Sequence, residues 1–389
     1  MPAAVSCGCA EDRGLHGYAS LLEGLAGVPD PRRRRGTRHR AAVVLAFAVA
    51  AVMAGADSVT AVAEWAADLA AGEAAALGAR GDRKGRPAPP SLSTFRRVLR
   101  RLDGEAVAAA FGAWLAAQVL AGLADAPSLV IALDGKTVRG ARAGDGKAPH
   151  LLAAMITGAR PVIAQKDVDA KTNEITQVRP LLAGLGIEGA LVTADALHVQ
   201  KDTARFLVEE QKADYLFTAV KENQPGLFAA LDALAWQDAP VAHVTEDKGH
   251  GRHETRTIQV LPAPGGCFPD AAQAVLAERL VSDPRDGRLR SAAAALGITS
   301  RTPERGGAPE ALALAVRGHR DIEALHHVRD VTMREDASRL RSGTSPQVAA
   351  AIRNTVIAAL RLAGFTSTAA GRRWAARNPA RPLAVLNLI

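Results

Sequence analysis

The chain of 389 residues has little cysteine and few aromatic rings. Cys7, Cys9 and Cys267 are too few and too scattered for a disulfide framework or a four-ligand zinc site, which fits a reducing compartment. Aromatics make up 4% of residues, so the core must be built from aliphatic side chains, with Ala-rich helices compensating. A membrane-spanning run is also missing. AAVVLAFAVAAVMAGA, residues 41–56, falls short of the roughly 20 residues a span needs and continues into the amphipathic SVTAVAEWAADLA, so it reads as a buried helix. No secretory leader is evident, and a cytoplasmic setting is expected.

What is present is ordinary globular composition, 48% hydrophobic and 23% charged, with an excess of base. The net charge of +8 and pI near 9.8 favour an anionic partner. The base is clustered. In VPDPRRRRGTRHRAAVV, Arg32, Arg33, Arg34 and Arg35 lie between a proline turn and the buried helix, placed either to grip phosphates or to form a solvated loop. Residues 78–91 read as a Gly- and Pro-rich loop. Ser91 to Thr94 can cap a following helix on which Arg96, Arg97, Arg100 and Arg101 form a basic face. Residues 1–125 are therefore expected to be a helical, basic DNA-binding domain.

Beyond residue 126 the pattern changes to β-β-β-α-β-α-β, with a helix over TNEITQVRPLLAGLG capped by Thr172 or Asn173. SLVIALDGKT and GALVTADALH are apolar strands ending in Asp134 and Asp195, where the chain is expected to leave the sheet. Chemistry in open α/β sheets collects at carboxyl ends of strands, so these two carboxylates are the leading active-site candidates. HETRTIQVL and AVLAERLVSD suggest a β-rich insertion at about residues 240–305. The expected fold is α/β, a ribonuclease H-like catalytic core over 126–365 with that insertion, and a C-terminal tail over 366–389.

Several segments together resemble the DDE transposases of bacterial insertion sequences, in the H-repeat-associated group: DPRRRRGTRH, PSLSTFRRVLRRLD, LDGKTVRGA, KTNEITQVRPLL, VTADALHVQKDTARFL, ADYLFTAVKENQP, HGRHETRTI and VRDVTMREDASRLRSGTSPQVAAAIRN. The resemblance implies neighbouring Asp134 and Asp195 and a third carboxylate on a later helix. Glu323 in VRGHRDIEALHHVRDV is the candidate, and Glu335 and Asp336 are the alternatives. The segment departs from the family pattern at Arg320, usually Trp, and at Ala324, usually Asn. The resemblance further implies two Mg²⁺ ions, replaceable by Mn²⁺, held by Asp134, Asp195 and Glu323, and cleavage of element ends followed by joining of the 3′-hydroxyl to target DNA. Double-stranded DNA is the expected partner, with a homo-oligomer assembled on it and no membrane. A DNA-binding relic and a host nuclease of the same fold remain open as alternatives.

Other polar residues have a DNA-contacting reading beside a structural one. Lys136 and Arg139 suit phosphates or an exposed turn, and His198 suits water, DNA or a local hydrogen bond. Lys221, Asn223 and Gln224 follow another strand end. His250 and Arg252, with His253 and Glu254, suit a DNA-contacting hairpin, since their spacing matches no zinc pattern. His319 and His326 flank Glu323 on adjacent turns and can orient it, touch DNA or simply pack.

Overall fold

The structure is a computed structural model describing residues 19–389 apart from 34, 36, 122–128, 143–146, 159, 169–172, 219, 221–223 and 250. Helices come first: α1 (Leu21–Gly24), α2 (Ala41–Met53), α3 (Val59–Ala67), α4 (Ala71–Ala76), α5 (Leu92–Leu99) and α6 (Gly104–Ala121). The expected buried helix is α2, whose residues are almost all inaccessible to solvent. Its N-terminus has no local side-chain cap. Instead Asp30 accepts the Ala41 N–H at 3.0 Å and is gripped by Arg32 at 2.6 Å. The Arg32 guanidinium also donates to the His39 carbonyl, which commits it to the fold rather than to a free basic run. The expected cap of α5 is present, with Ser91 Oγ accepting the Thr94 N–H.

The sheet strands are β1 (Val130–Thr137), β2 (His150–Ile156), β3 (Val162–Val168), β4 (Leu191–Ala194), β5 (Asp214–Phe217), β6 (His243–Gly249), β7 (Arg252–Pro262), β8 (Gln273–Ser282) and β9 (Leu289–Thr299). Between them lie α7 (Glu174–Leu182), capped by Asn173, then α8 (Lys201–Arg205) and α9 (Pro225–Asp232). Four helices close the chain: α10 (Pro309–Val331), α11 (Ser345–Leu362), α12 (Thr368–Ala375) and α13 (Ala380–Val385).

The strands form one mixed sheet in the order β3-β2-β1-β4-β5-β9-β8-β7-β6. β1, β2 and β3 are antiparallel, while β1, β4 and β5 run parallel through α7 and α8. The expected β-rich insertion is the meander β6–β9. It continues the same sheet, because β9 pairs with β5 through Leu216↔Thr299 and Phe217↔Ile298.

Asp134 does not end its strand. β1 runs on through Gly135, Lys136 and Thr137, because β2 keeps pairing with it after β4 has stopped. The last β1–β4 pair is Ala132↔Thr193, and the same register carried two residues further sets Asp134 opposite Asp195.

One apolar cluster joins α2, α5 and α6 to α11 and α13 and to Ala132, Ala153 and Met155 on one sheet face. A second fills the opposite face, beneath α7 and α8. The N-terminal helices thus share their core with the C-terminal ones. The expected tail is part of it: residues 366–389 include α12 and α13, Leu383, Val385 and Leu386 are fully buried, and the Leu386 carbonyl accepts the Leu21 N–H at 3.1 Å. Leu386→Ala should cost about 2–5 kcal/mol of stability by urea unfolding, as a fully buried leucine does. A change under about 0.5 kcal/mol, the surface value, would return this segment to a tail.

Candidate active site

β1 is buried on both faces, and alternate residues serve different neighbours. Ile131 and Leu133 enter the cluster under α7, whereas Ala132 joins the cluster that contains Ile322 and Leu325 of α10. Asp134 and Lys136 continue the α10 side. His326 Nδ1 lies 3.3 Å from Asp134 Oδ2, and Lys136 Nζ donates to Asp330 Oδ2 at 2.7 Å. The spacing explains why two such rungs fit. Two residues of strand rise about 6.6 Å and four residues of helix about 6 Å.

The same helix brings Glu323 over the sheet. Asp195 and Glu323 line one cleft of about 320 Å³ between α10 and the β6–β9 meander, together with His319 and Arg320. His319 is buried, with Nδ1 3.1 Å from Thr193 Oγ1. Burial pulls its imidazole below the usual range, while Asp134, Asp195 and Glu323 pull it the other way. Asp195 caps the turn that follows β4, accepting the Leu197 N–H through Oδ1 at 3.0 Å. Glu323 is exposed.

Glu335, the alternative third carboxylate, is fully buried. Burial opposes its charge, yet Arg329 at 2.9 and 3.0 Å and Arg353 at 3.2 Å hold its carboxyl below the usual range. Both oxygens are occupied by arginines, so it anchors the fold. Asp336 is exposed.

A further carboxylate was not singled out from the sequence. Glu174, in the first turn of α7, accepts from His150 Nε2 at 2.5 Å and from His198 Nε2 at 3.2 Å. His150 Nδ1 lies 2.8 Å from Thr137 Oγ1. Burial would raise the Glu174 pKa, but the two imidazoles overcome it and hold the group at about 2. The bond from Glu174 raises His150 in turn, against its own burial. Gly135 makes this approach possible, because a Cβ there would fall 2.4 Å from the Glu174 carboxyl. Asp134-Gly135 therefore presents an acid to α10 and a bare backbone to α7. The cap Asn173 immediately before Glu174 was the sequence signal that put this residue at a helix start.

The remaining expected site residues are spread more widely. His198 is buried on Glu174, and Gln224 donates to the Val199 carbonyl at 2.8 Å. Lys136 is buried and paired rather than exposed on a turn, because β1 continues past Asp134. Arg33, Arg35, Arg139 and Arg252 are exposed. Arg34, Lys221, Asn223 and His250 lie outside the described residues. Glu254 is buried among Arg256, Arg279 and Arg252 and has no free face for a metal.

Among the described residues no three His, Cys, Asp or Glu side chains already converge on one point. The donor set of Asp134, Asp195 and Glu323 nevertheless suits a hard divalent cation. Mg²⁺ takes one or two carboxylates and keeps several waters, so a preformed cage is not required. His326 Nε2, buried beside Asp134, has no hydrogen-bond partner among the described residues and can serve a water or phosphate oxygen.

Comparison with known proteins points to a family. Residues 125–359 match the family described as Transposase DDE domain, and residues 22–115 match the DDE_Tnp_1-associated region. The chain belongs to the DDE transposases. It is 32% identical over 358 residues to a candidate transposase, YncI, of Escherichia coli O157:H7, covering 88% of this chain and 87% of the relative. It is 31% identical over 250 residues to the H repeat-associated candidate transposase YhhI of Escherichia coli K12, covering 59% of this chain and 63% of that one. A solved piggyBac transposase synaptic complex with hairpin DNA aligns with 94% of this chain and 76% of that one, at 12% identity and a TM-score of 0.41, too distant to bear on fold or function.

The Glu174 clamp carries a pH signature. Its folded pKa of about 2 lies below the ordinary 4.5, so its stabilisation is complete above pH 4.5 and vanishes as pH falls toward 2. His150 is raised above 6.5, so its share is complete below pH 6.5 and fades as pH rises past its folded pKa. The melting difference between wild type and Glu174→Gln should therefore be larger at pH 6 than at pH 9. An equal difference at both pH values would remove the ion pair from the clamp.

Proposed function

We infer that the chain is a metal-dependent transposase that cleaves the ends of an insertion sequence and joins the freed 3′-hydroxyl to target DNA. The observation that carries this reading is that Asp195 and Glu323 line one cleft beside His319, while the β1–β4 register sets Asp134 opposite Asp195. The sheet order β3-β2-β1-β4-β5, antiparallel then parallel, supports a ribonuclease H-like core beneath them. Family membership supports double-stranded DNA as substrate.

Asp134 on β1, Asp195 after β4 and Glu323 on α10 would together hold two Mg²⁺ ions. When bound, such ions activate the attacking oxygen and stabilise the leaving one in phosphoryl transfer. His326 orients Asp134 from behind, and the Lys136–Asp330 rung keeps α10 in the register that presents Glu323. Water attacks the phosphodiester at the element end and breaks its P–O3′ bond, leaving a 3′-hydroxyl and a 5′-phosphate. That 3′-hydroxyl then attacks a target phosphodiester, forming a new P–O bond as the target's own 3′-oxygen leaves and takes up a proton. No covalent protein intermediate is required. Joining two ends calls for two active sites, hence a homo-oligomer on DNA, acting in the cytoplasm on the nucleoid.

The test is cleavage and joining of duplexes carrying the ends that flank the gene, in Mg²⁺ and in Mn²⁺. Asp134→Asn and Glu323→Gln should each lower cleavage by more than about 100-fold, the upper end of what loss of an outer partner costs, and His326→Ala by about 10–100-fold. Binding without cutting in either metal would leave a DNA-binding relic, a reading that Arg320 and Ala324 on the Glu323 helix keep open. Cutting without joining would leave a nuclease.

A further inference from the structure

Away from the carboxylates, the segment 339–345 between α10 and α11 lies against α5. The groove between them has a volume of about 800 Å³. Six arginines line it: Arg96, Arg97, Arg100 and Arg101 from α5 and its C-terminal end, and Arg339 and Arg341 from the opposite wall. All six are exposed, and no acidic residue lines the groove. Arg97, Arg100, Arg101 and Arg339 have no carboxylate partner among the described residues. Elsewhere the protein pairs its buried acids with arginine, as at Glu335, Glu254 and Asp214. Like charges crowded without counter-ions repel one another, and the arrangement is relieved by a polyanion.

The second wall is held firmly. Glu335, buried between Arg329 and Arg353, pins the start of the segment. Gly343 adopts φ 55° and sits so close that a Cβ would fall 2.3 Å from the Arg100 carbonyl oxygen. Thr344 Oγ1 donates to the Leu102 carbonyl at 2.6 Å. The wall also reaches the active-site strand, since Arg341 Nε donates to the Gly140 carbonyl at 3.3 Å in the turn just after β1. Gly140 is also where three carbonyls just before the segment, those of Glu335, Asp336 and Ser338, crowd in. An extended chain from Asp134 to Gly140 spans at most about 20 Å. That corresponds to about six base pairs of duplex at 3.4 Å per step.

We propose that this arginine groove binds the phosphate backbone of duplex DNA within about one helical turn of the phosphate presented to Asp134. The proposal rests on the reading that the chain acts on DNA, and it assigns the grip to a surface built jointly by α5 and residues 339–345. Contacts of this kind position the duplex and carry no base choice, so the groove supplies affinity for any sequence.

The experiment uses the full chain carrying Asp134→Asn to prevent cutting, with anisotropy titrations of a labelled duplex at several salt concentrations. Adding Arg97→Ala, Arg101→Ala and Arg339→Ala should lower the steepness of log K against log salt by about 3, one for each lost phosphate contact, equally for end-derived and unrelated duplexes. The corresponding triple lysine variant should keep the slope, and all variants should melt at the parent temperature. An alanine variant with the parent slope and affinity would overturn the groove while leaving the DNA-acting reading intact. A lysine variant as weak as the alanine one would also overturn it, because charge would then not be what binds. A parent that binds no duplex would bring down both.

Discussion

The structure depends on the register between α10 and β1. Asp134 meets His326, and two residues further along the strand, one helical turn along α10, Lys136 meets Asp330. A slip of α10 by one turn would set Asp134 against Ile322 or against Asp330, an apolar side chain or a like charge. Lys136 is buried, so losing its partner would strand a cation in the interior, which costs several kcal/mol. This constraint sets where Glu323 lies over the sheet. It also fixes where the chain emerges from α10 to place Glu335 between its arginines.

The carboxylates of the protein fall into two electrostatic kinds. Glu335, Glu254 and Asp214 are buried and answered by arginine, and Glu174 is answered by two histidines. The partners of Glu335, Glu254 and Glu174 hold these three carboxyls below the usual range against the cost of burial. Asp195 and Glu323 have no ion pair among the described residues, and Asp134 has only His326. Carboxylates left without a counter-charge are what the proposed divalent cations require. The acids proposed to hold metal therefore differ from the structural ones in their partners, not in their burial alone.

The parts of this arrangement that were legible in the sequence are those set by local chemistry. The apolar strands ending near Asp134 and Asp195, the Asn173 and Ser91 caps, and the fully apolar α2 all follow from side chains within a turn or two. Glu335 reads from the sequence as part of a charged segment past the helix, yet it is fully buried between two arginines. What was not legible depends on distant partners. β1 outruns β4 because β2 continues beside it, which turned Lys136 from a turn residue into a buried one. Residues 366–389 look like a tail until α13 is seen closing the core around α2. Arg32 reads as one of a basic run, yet its guanidinium is spent on Asp30 and the start of α2.

The wall of the cleft facing Glu323 is made partly by Ala293, Ala294 and Ala295 of β9. Alanine is a poor strand former, so its use here is not explained by β-propensity. These alanines leave a low stretch in that wall, beside Thr257 of β7 and Glu278 and Arg279 of β8. The fit of whatever enters can therefore be retuned by enlarging one alanine at a time, on a strand that contributes nothing to the acid cluster. The residues proposed for chemistry and those that shape this wall thus lie on separate elements, so that either set can change without the other.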